Sequence, residues 1–296
     1  MPAGVTGGRR VGVVIRTLDE SALIGRCLET LAAQRGDFDL DVLVVDSGST
    51  DATVEIARAH GARIMELAPG DFDYSTSLNR GIEEVVGDLV VSLSAHAIPT
   101  DEGWLEAITA PFESAEVAGV STRQLPWPDA PWQEVKRLAQ AFGEEPRTFT
   151  LEDCRGILFS NAASAIRRSV WQEHPFTLPA VEDFDWAQRV VGLGWSVVYE
   201  PRTAVYHSHR ESPRAQARRM IDINRVNDAT RTRLLTLREA AGYLSRDARA
   251  IFALEDPLRR KLAYLAELVR TVWFYVIDFS RGGTTAERRR QDSRLT

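Results

Sequence analysis

The chain has 296 residues, 44% of them hydrophobic and 26% charged, which excludes disordered and fibrous classes and leaves a packed globular protein. A net charge of -6 and a pI near 5.5 exclude nucleic acid as the main partner, because nothing overall draws the protein to a phosphate backbone. Two cysteines form neither a disulfide framework nor a zinc pattern, MPAGVTGGRR lacks the apolar stretch of a signal peptide, and no run reaches the roughly 20 apolar residues of a membrane span; a cytoplasmic protein is expected.

Residues 1–10 are expected to be flexible. VGVVIRT (11–17) is nearly all apolar and β-branched, as a strand buried on both faces should be. Leu23, Ile24, Cys27, Leu28 and Leu31 then recur at helical spacing, which places Cys27 in the core, and Gly36 can stop that helix. DVLVVDSG reads as the next strand and STDATVEIARAHG as a helix with Ser49 or Thr50 as N-cap and Gly61 as stop. The alternation continues with ARIMEL as strand, YSTSLNRGIEEVVG as helix, DLVVSLS as strand, EGWLEAITAPFES as helix and VAGVSTRQ as strand. This predicts an α/β fold with a mostly parallel central sheet and helices on both faces. Ligands of such sheets bind beyond the carboxyl ends of the strands, and Asp46 and His96 both lie at such ends.

From about residue 125 the pattern loosens. LPWPDAPW reads as an ordered loop before a helix through Val135, Leu138 and Phe142. FSNAASAIRRSVW reads as a strand passing into a helix, DFDWAQRVVGLG as a helix closed by Gly194, and WSVVYEP and AVYHSH as two strand-like segments. Beyond Pro213 the chain is helical and Arg-rich, so the α/β domain is expected over 11–211, a C-terminal helical extension over 212–280 and a disordered Arg-rich tail over 281–296. The apolar stretch LAYLAELVRTVWFYVIDF is short for a membrane span and reads as a helix packed on the domain or on a second subunit of a homodimer. Its alternative is an interfacial helix in peripheral contact with the inner face of the membrane.

Three constellations carry chemistry. VVDSGSTD (44–51) sets a carboxylate at a strand end, then a polar turn and a helix start; a nucleotide could bond Asp46 there, or Asp46 and Asp51 only cap the turn. VEDFDWAQR (181–189) puts Glu182, Asp183 and Asp185 at a helix start, where the dipole favours them and where one is suited to take a proton from a substrate hydroxyl. AVYHSH puts His207 and His209 on one face of an extended segment, able to share a metal or meet a phosphate.

In order, VVIRTLDE, VVDSGSTD, YSTSLNRG, the strand ending SAHAIP, FSNAASAIRRSVW, VEDFDWAQR and YEPRTAVYHSH resemble the motifs of glycosyltransferase family 2, the inverting GT-A enzymes, and especially its rhamnosyltransferase-like members. The likeness spans roughly residues 10–210 and implies a nucleotide-sugar half (11–125) and an acceptor half (126–211). It implies that Thr17, Asp19 and Asp46 contact the nucleotide, that Asn79 and Arg80 line its pocket, that Asp183 is the acceptor-side base with Glu182 beside it, and that Asn161 and Trp186 meet the acceptor sugar. It further implies a nucleoside diphosphate sugar donor, a saccharide or lipid-linked acceptor, and a role in polysaccharide or glycolipid synthesis.

The family's Asp-x-Asp, whose last carboxylate holds a divalent metal such as Mn or Mg, is replaced here by Ser94-Ala95-His96. Three explanations are open: His96 ligates the metal with His207 or His209, His96 bonds the diphosphate without a metal, or donor activation is lost and the chain only binds a sugar nucleotide. A sugar nucleotidyltransferase is the other rival, but RTLDESALIG is not the Gly-rich basic loop expected after its first strand.

Overall fold

A computed structural model describes residues 8–68, 70–208, 212–214, 217 and 237–280. These form one nine-stranded sheet in the order β3-β2-β1-β4-β8-β6-β9-β5, with β7 paired to β9. The strands are β1 (Arg9–Thr17), β2 (Phe38–Asp46), β3 (Arg63–Glu66), β4 (Leu89–Ser94), β5 (Ile98–Pro99), β6 (Val117–Leu125), β7 (Arg147–Phe149), β8 (Ala163–Arg167) and β9 (Ser196–Tyr206). Strands β1 to β4, β6 and β9 share one direction; β5, β7 and β8 run against it. The sheet is therefore mostly parallel, as expected, with β8 inserted antiparallel between β4 and β6. The two strand-like segments read at 195–209 are one strand, β9, carried past the Pro201 region by a register irregularity against β6.

The helices are α1 (Ile24–Ala32), α2 (Thr53–Ala59), α3 (Tyr74–Glu84), α4 (Trp104–Thr109), α5 (Trp132–Ala141), α6 (Arg168–Glu173), α7 (Glu182–Gly192), α8 (Leu237–Ala253) and α9 (Leu258–Ser280). Val13, Val14 and Ile15 of β1 are all fully buried, and since neighbouring strand residues point to opposite faces, both faces of the sheet are covered. On Val14's side the core joins Leu78 and Ile82 of α3 to Trp186 and Val190 of α7. Gly81 lets α3 come this close: a Cβ there would lie 2.6 Å from a Val14 methyl. Asp73 caps α3 by accepting from the Thr76 N–H at 2.7 Å. For α2 the cap falls neither on Ser49 nor on Thr50; Asp51 accepts from the Thr53 N–H instead, because the Ser49 hydroxyl is already committed to Asp46. Cys27 is buried on α1, as its spacing predicts; burial, with Glu20 adding, pushes its thiol up to about 12.

The chain divides into two compact units, residues 1–127 with 138–208, and residues 128–137 with 209–296. The helical unit thus includes the segment after the Pro-rich loop, which the sequence reading assigned to the α/β domain. Its physical reason is a polar and apolar anchor: the Trp132 indole N–H and Lys136 Nζ both donate to buried Asp247, at 2.9 and 2.7 Å, and Trp132 packs with Ile251, Tyr264, Leu268 and Val272. Strand β1 already begins at Arg9, inside the N-terminal stretch read as flexible. Residues 281–296 lie outside the described residues. Among the described residues no helix is long and apolar enough to cross a membrane.

Candidate functional site

Register decides what meets at the carboxyl edge of the sheet. Thr17 pairs with Asp46 across β1 and β2, and Arg16 pairs with Ser94 across β1 and β4. Because β6 and β9 share that direction, Gln124 and His207 finish at the same edge, and because β8 runs the other way, Asn161 just before it arrives there too. The Ser94 N–H donates to the Ala162 carbonyl at 3.0 Å and the Ala95 N–H to the Arg16 carbonyl at 3.1 Å, so the Ser94-Ala95 backbone is held by both neighbours.

The β1–α1 and β2–α2 loops are laced together. The Asp19 N–H donates to Ser49 Oγ at 2.8 Å, the Thr50 N–H to Asp19 Oδ1 at 2.7 Å, and the Ser21 N–H to Asp51 at 3.1 Å. Asp19 adopts φ 53°, a left-handed conformation that Asp tolerates better than most residues. Asp46, only 2% exposed, accepts from the N–H groups of Gly48 and Ser49 and from the Ser49 hydroxyl, so of its two sequence readings the turn-capping one is what the geometry displays. Beside it the Thr17 hydroxyl is buried with no hydrogen-bond partner among the described residues.

His96 sits where β4 ends, its Nδ1 2.7 Å from Glu20 Oε1. A carboxylate can only accept, so this contact puts the proton on Nδ1 and fixes the ring's orientation. The His207 ring lies 4.8 Å away and within 10° of parallel, its own Nδ1 2.8 Å from Gln124 Oε1. This geometry speaks against one form of the metal reading, a single ion shared by His96 and His207. Metal bonds lie in the plane of an imidazole, and two stacked, near-parallel planes do not meet at one ion. Among the described residues no group of three or more His, Cys, Asp or Glu could hold a metal, and His209 lies outside them.

The head of α7 is built differently. Val181 occupies the cap position at φ 55°, a conformation that is strained for a β-branched residue. Next to it Glu182 is buried and pairs with Arg16 at 3.2 Å, while Arg16 also donates to the Tyr74 carbonyl and covers the Tyr74 ring. Glu182 is thus a structural partner of Arg16 rather than a second base. Asp183 accepts from the Asn161 N–H at 3.2 Å and the Phe184 N–H at 2.8 Å. Burial, reinforced by the Glu182 charge, holds its carboxyl above the ordinary range, against the opposing pull of those N–H groups and Arg16. Asp185 pairs with Arg189.

Four further residues expected at the site are held by protein partners. Asn79 has its amide committed: Nδ2 donates to the Phe176 carbonyl, and Oδ1 accepts from the Trp171 indole and the Phe176 N–H, which ties α3 to α6 and to the segment after it. Arg80 is exposed and lies 3.9 Å from Asp71. Trp186 is 0% exposed between Phe159 and Phe176, its indole donating to the His174 carbonyl, so it cannot touch an acceptor sugar. Asn161 is also buried; its side chain bonds Glu182 and Ser164, so it positions the acidic pair. Arg16, Glu20 and Gln124 are the site residues that sequence reading missed. Arg16 had a signal, a lone cation closing an apolar strand; Glu20 and Gln124 had none, since their partners lie 76 and 83 residues away.

The mostly parallel sheet with helices on both faces is that of the GT-A fold, and these residues gather at its carboxyl edge. Residues 12–174 match Glycosyl transferase family 2, and the chain belongs to that family. It is 30% identical over 190 residues to the O-antigen chain rhamnosyltransferase WbaN of Salmonella anatum, across 61% of this chain and 60% of that protein. With the O-antigen chain rhamnosyltransferase RfbN of Salmonella typhimurium it shares 26% identity over 72% of its own length and 71% of the relative's. Among solved structures the mannosyltransferase PcManGT of Pyrobaculum calidifontis, in complex with GDP-Man and Mn2+, superposes with a TM-score of 0.54 at 17% identity, covering 98% of this chain and 80% of that one.

Proposed function

We propose that the chain transfers a sugar from a nucleoside diphosphate sugar to an acceptor hydroxyl with inversion, in the synthesis of a polysaccharide. The observation that carries this reading is Asp183: a carboxylate of raised basicity at the head of a helix, hydrogen-bonded to the segment that also holds the end of β4. Its carboxylate accepts the acceptor's proton while the acceptor oxygen forms its bond to C1; the bond from C1 to the diphosphate breaks, and its electron pair leaves with the diphosphate. Thr17, Asp19 and Asp46 form the nucleoside side of the pocket. His96, oriented by Glu20 at the end of β4, is the side chain assigned to the departing diphosphate. A divalent metal held against the diphosphate would supply charge neutralisation there, a reading supported by the Mn2+ complex of the mannosyltransferase neighbour. The two Salmonella rhamnosyltransferases among its relatives support a rhamnosyl donor.

The test is a panel of nucleoside diphosphate sugars assayed for transfer, with Asp183→Asn beside the wild type. A general base is worth roughly 10²–10⁴-fold, so transfer is expected to fall by that factor while nucleoside diphosphate affinity by calorimetry stays within about twofold. Undiminished transfer in Asp183→Asn removes the base from this reading. In the same binding assay His96→Ala should weaken the nucleoside diphosphate about tenfold.

A further inference from the structure

Helix α9 buries one apolar face and exposes another. Tyr264, Leu268, Val272 and Tyr275 are buried, as the inner face of an amphipathic helix should be. Leu258, Leu262, Val269 and Trp273 are nonetheless 53–64% exposed, and their spacing puts them in a single stripe. Between 258 and 276 the remaining exposed residues are Arg259, Arg270 and two alanines; none is acidic. A helix that faced only water would carry a polar, mixed-charge surface there.

The charge of the chain is segregated in the same direction. Residues 209–296 hold 19 Lys and Arg against 11 Asp and Glu, whereas residues 1–208 hold 17 against 31. A protein that is anionic overall has thus concentrated its cations in the segment that carries the apolar stripe.

We propose that the outer face of α9 docks on an anionic lipid bilayer. The stripe inserts among the acyl chains at the headgroup boundary, Trp273 sits at the depth where an indole is favoured, and Arg259 and Arg270 meet lipid phosphates. A second copy of the chain is the poorer occupant: a two-fold contact would set two such faces together, with four arginines and no exposed acid between Leu258 and Val276 to pair with them. The proposal rests on the helical unit alone and is independent of the transfer reaction, so failure of either leaves the other standing.

The experiment is flotation of the full chain with vesicles of phosphatidylcholine and with vesicles containing about a third phosphatidylglycerol. The chain is expected to float with the anionic vesicles only, less so as salt rises, and brominated lipid should quench its tryptophan emission in wild type but much less in Trp273→Phe. Leu262→Glu with Val269→Glu, both at exposed positions, should lower the partition at least about tenfold without changing the thermal midpoint. Should that pair perturb folding, Arg259→Gln with Arg270→Gln provides the second reading and should lower it as well. Absence of wild-type flotation, equal flotation of the correctly folded variants, or a concentration-dependent dimer that the glutamate pair dissolves without any vesicle binding would overturn the proposal.

Discussion

The β2–α2 turn and the head of α7 stand at the same edge of the sheet and are both rich in carboxylates, yet they use them in opposite ways. In the turn every acid is saturated: Asp46 accepts three hydrogen bonds, and Asp51 is held far below the ordinary carboxylate range by the hydroxyls and N–H groups of Ser21 and Thr53. At α7 the chain enters through a strained Val181, Glu182 is tied up with Arg16, and Asp183 is left desolvated and more basic than usual. Saturated carboxylates make a rigid, preorganised wall; an undersolvated one makes a proton acceptor. The two ends of this edge thus present carboxylates of opposite character.

The largest effect on this contrast should come from Glu182→Ala. Removing the carboxylate takes away the closest charged partner of half-buried Arg16, which keeps the Tyr74 carbonyl and ring, and a loss of about 3 kcal/mol in unfolding free energy is expected by urea titration. Asp46→Ala breaks the turn at the other end and strands two backbone N–H groups that water can partly reach; about 2 kcal/mol is expected in the same measurement. Val181→Gly relieves the left-handed strain and should stabilise the fold by roughly 1 kcal/mol, with slower transfer if the strain aims Asp183. The smallest effect is on pH dependence. Because folding raises the Asp183 value, its contribution to stability is fully present below the unfolded value and is lost as pH rises through the folded one; Asp183→Asn should flatten that slope in a series of urea midpoints. The acid limb of transfer should correspondingly lie above the ordinary carboxylate range.

Those parts of the fold that follow from local pattern were legible. The runs that became β1, β2 and β4 are apolar enough to be strands buried on both faces, and Leu23 to Leu31 has a helical period that no strand could hide. The direction of β8 was not legible, because a strand's own residues do not say which neighbour it pairs with. Nor was the fate of polar and aromatic side chains on α3 and α7: Asn79 and Trp186 look like ligand contacts until partners about 90 and 12 residues away in sequence absorb their hydrogen bonds. His96 was singled out from its place at a strand end, but its stacking on His207, which removes the shared-metal reading, depends on the parallel register of β6 and β9.

The deep thiol on α1 has a practical sequel. Cys27 is enclosed and its value near 12 leaves almost no thiolate at neutral pH, so it should ignore maleimides. Cys154, the other cysteine, is exposed in the segment joining β7 to β8, a short way before Asn161. The chain is therefore ready for single-site fluorophore attachment between β7 and β8, with no cysteine to remove first.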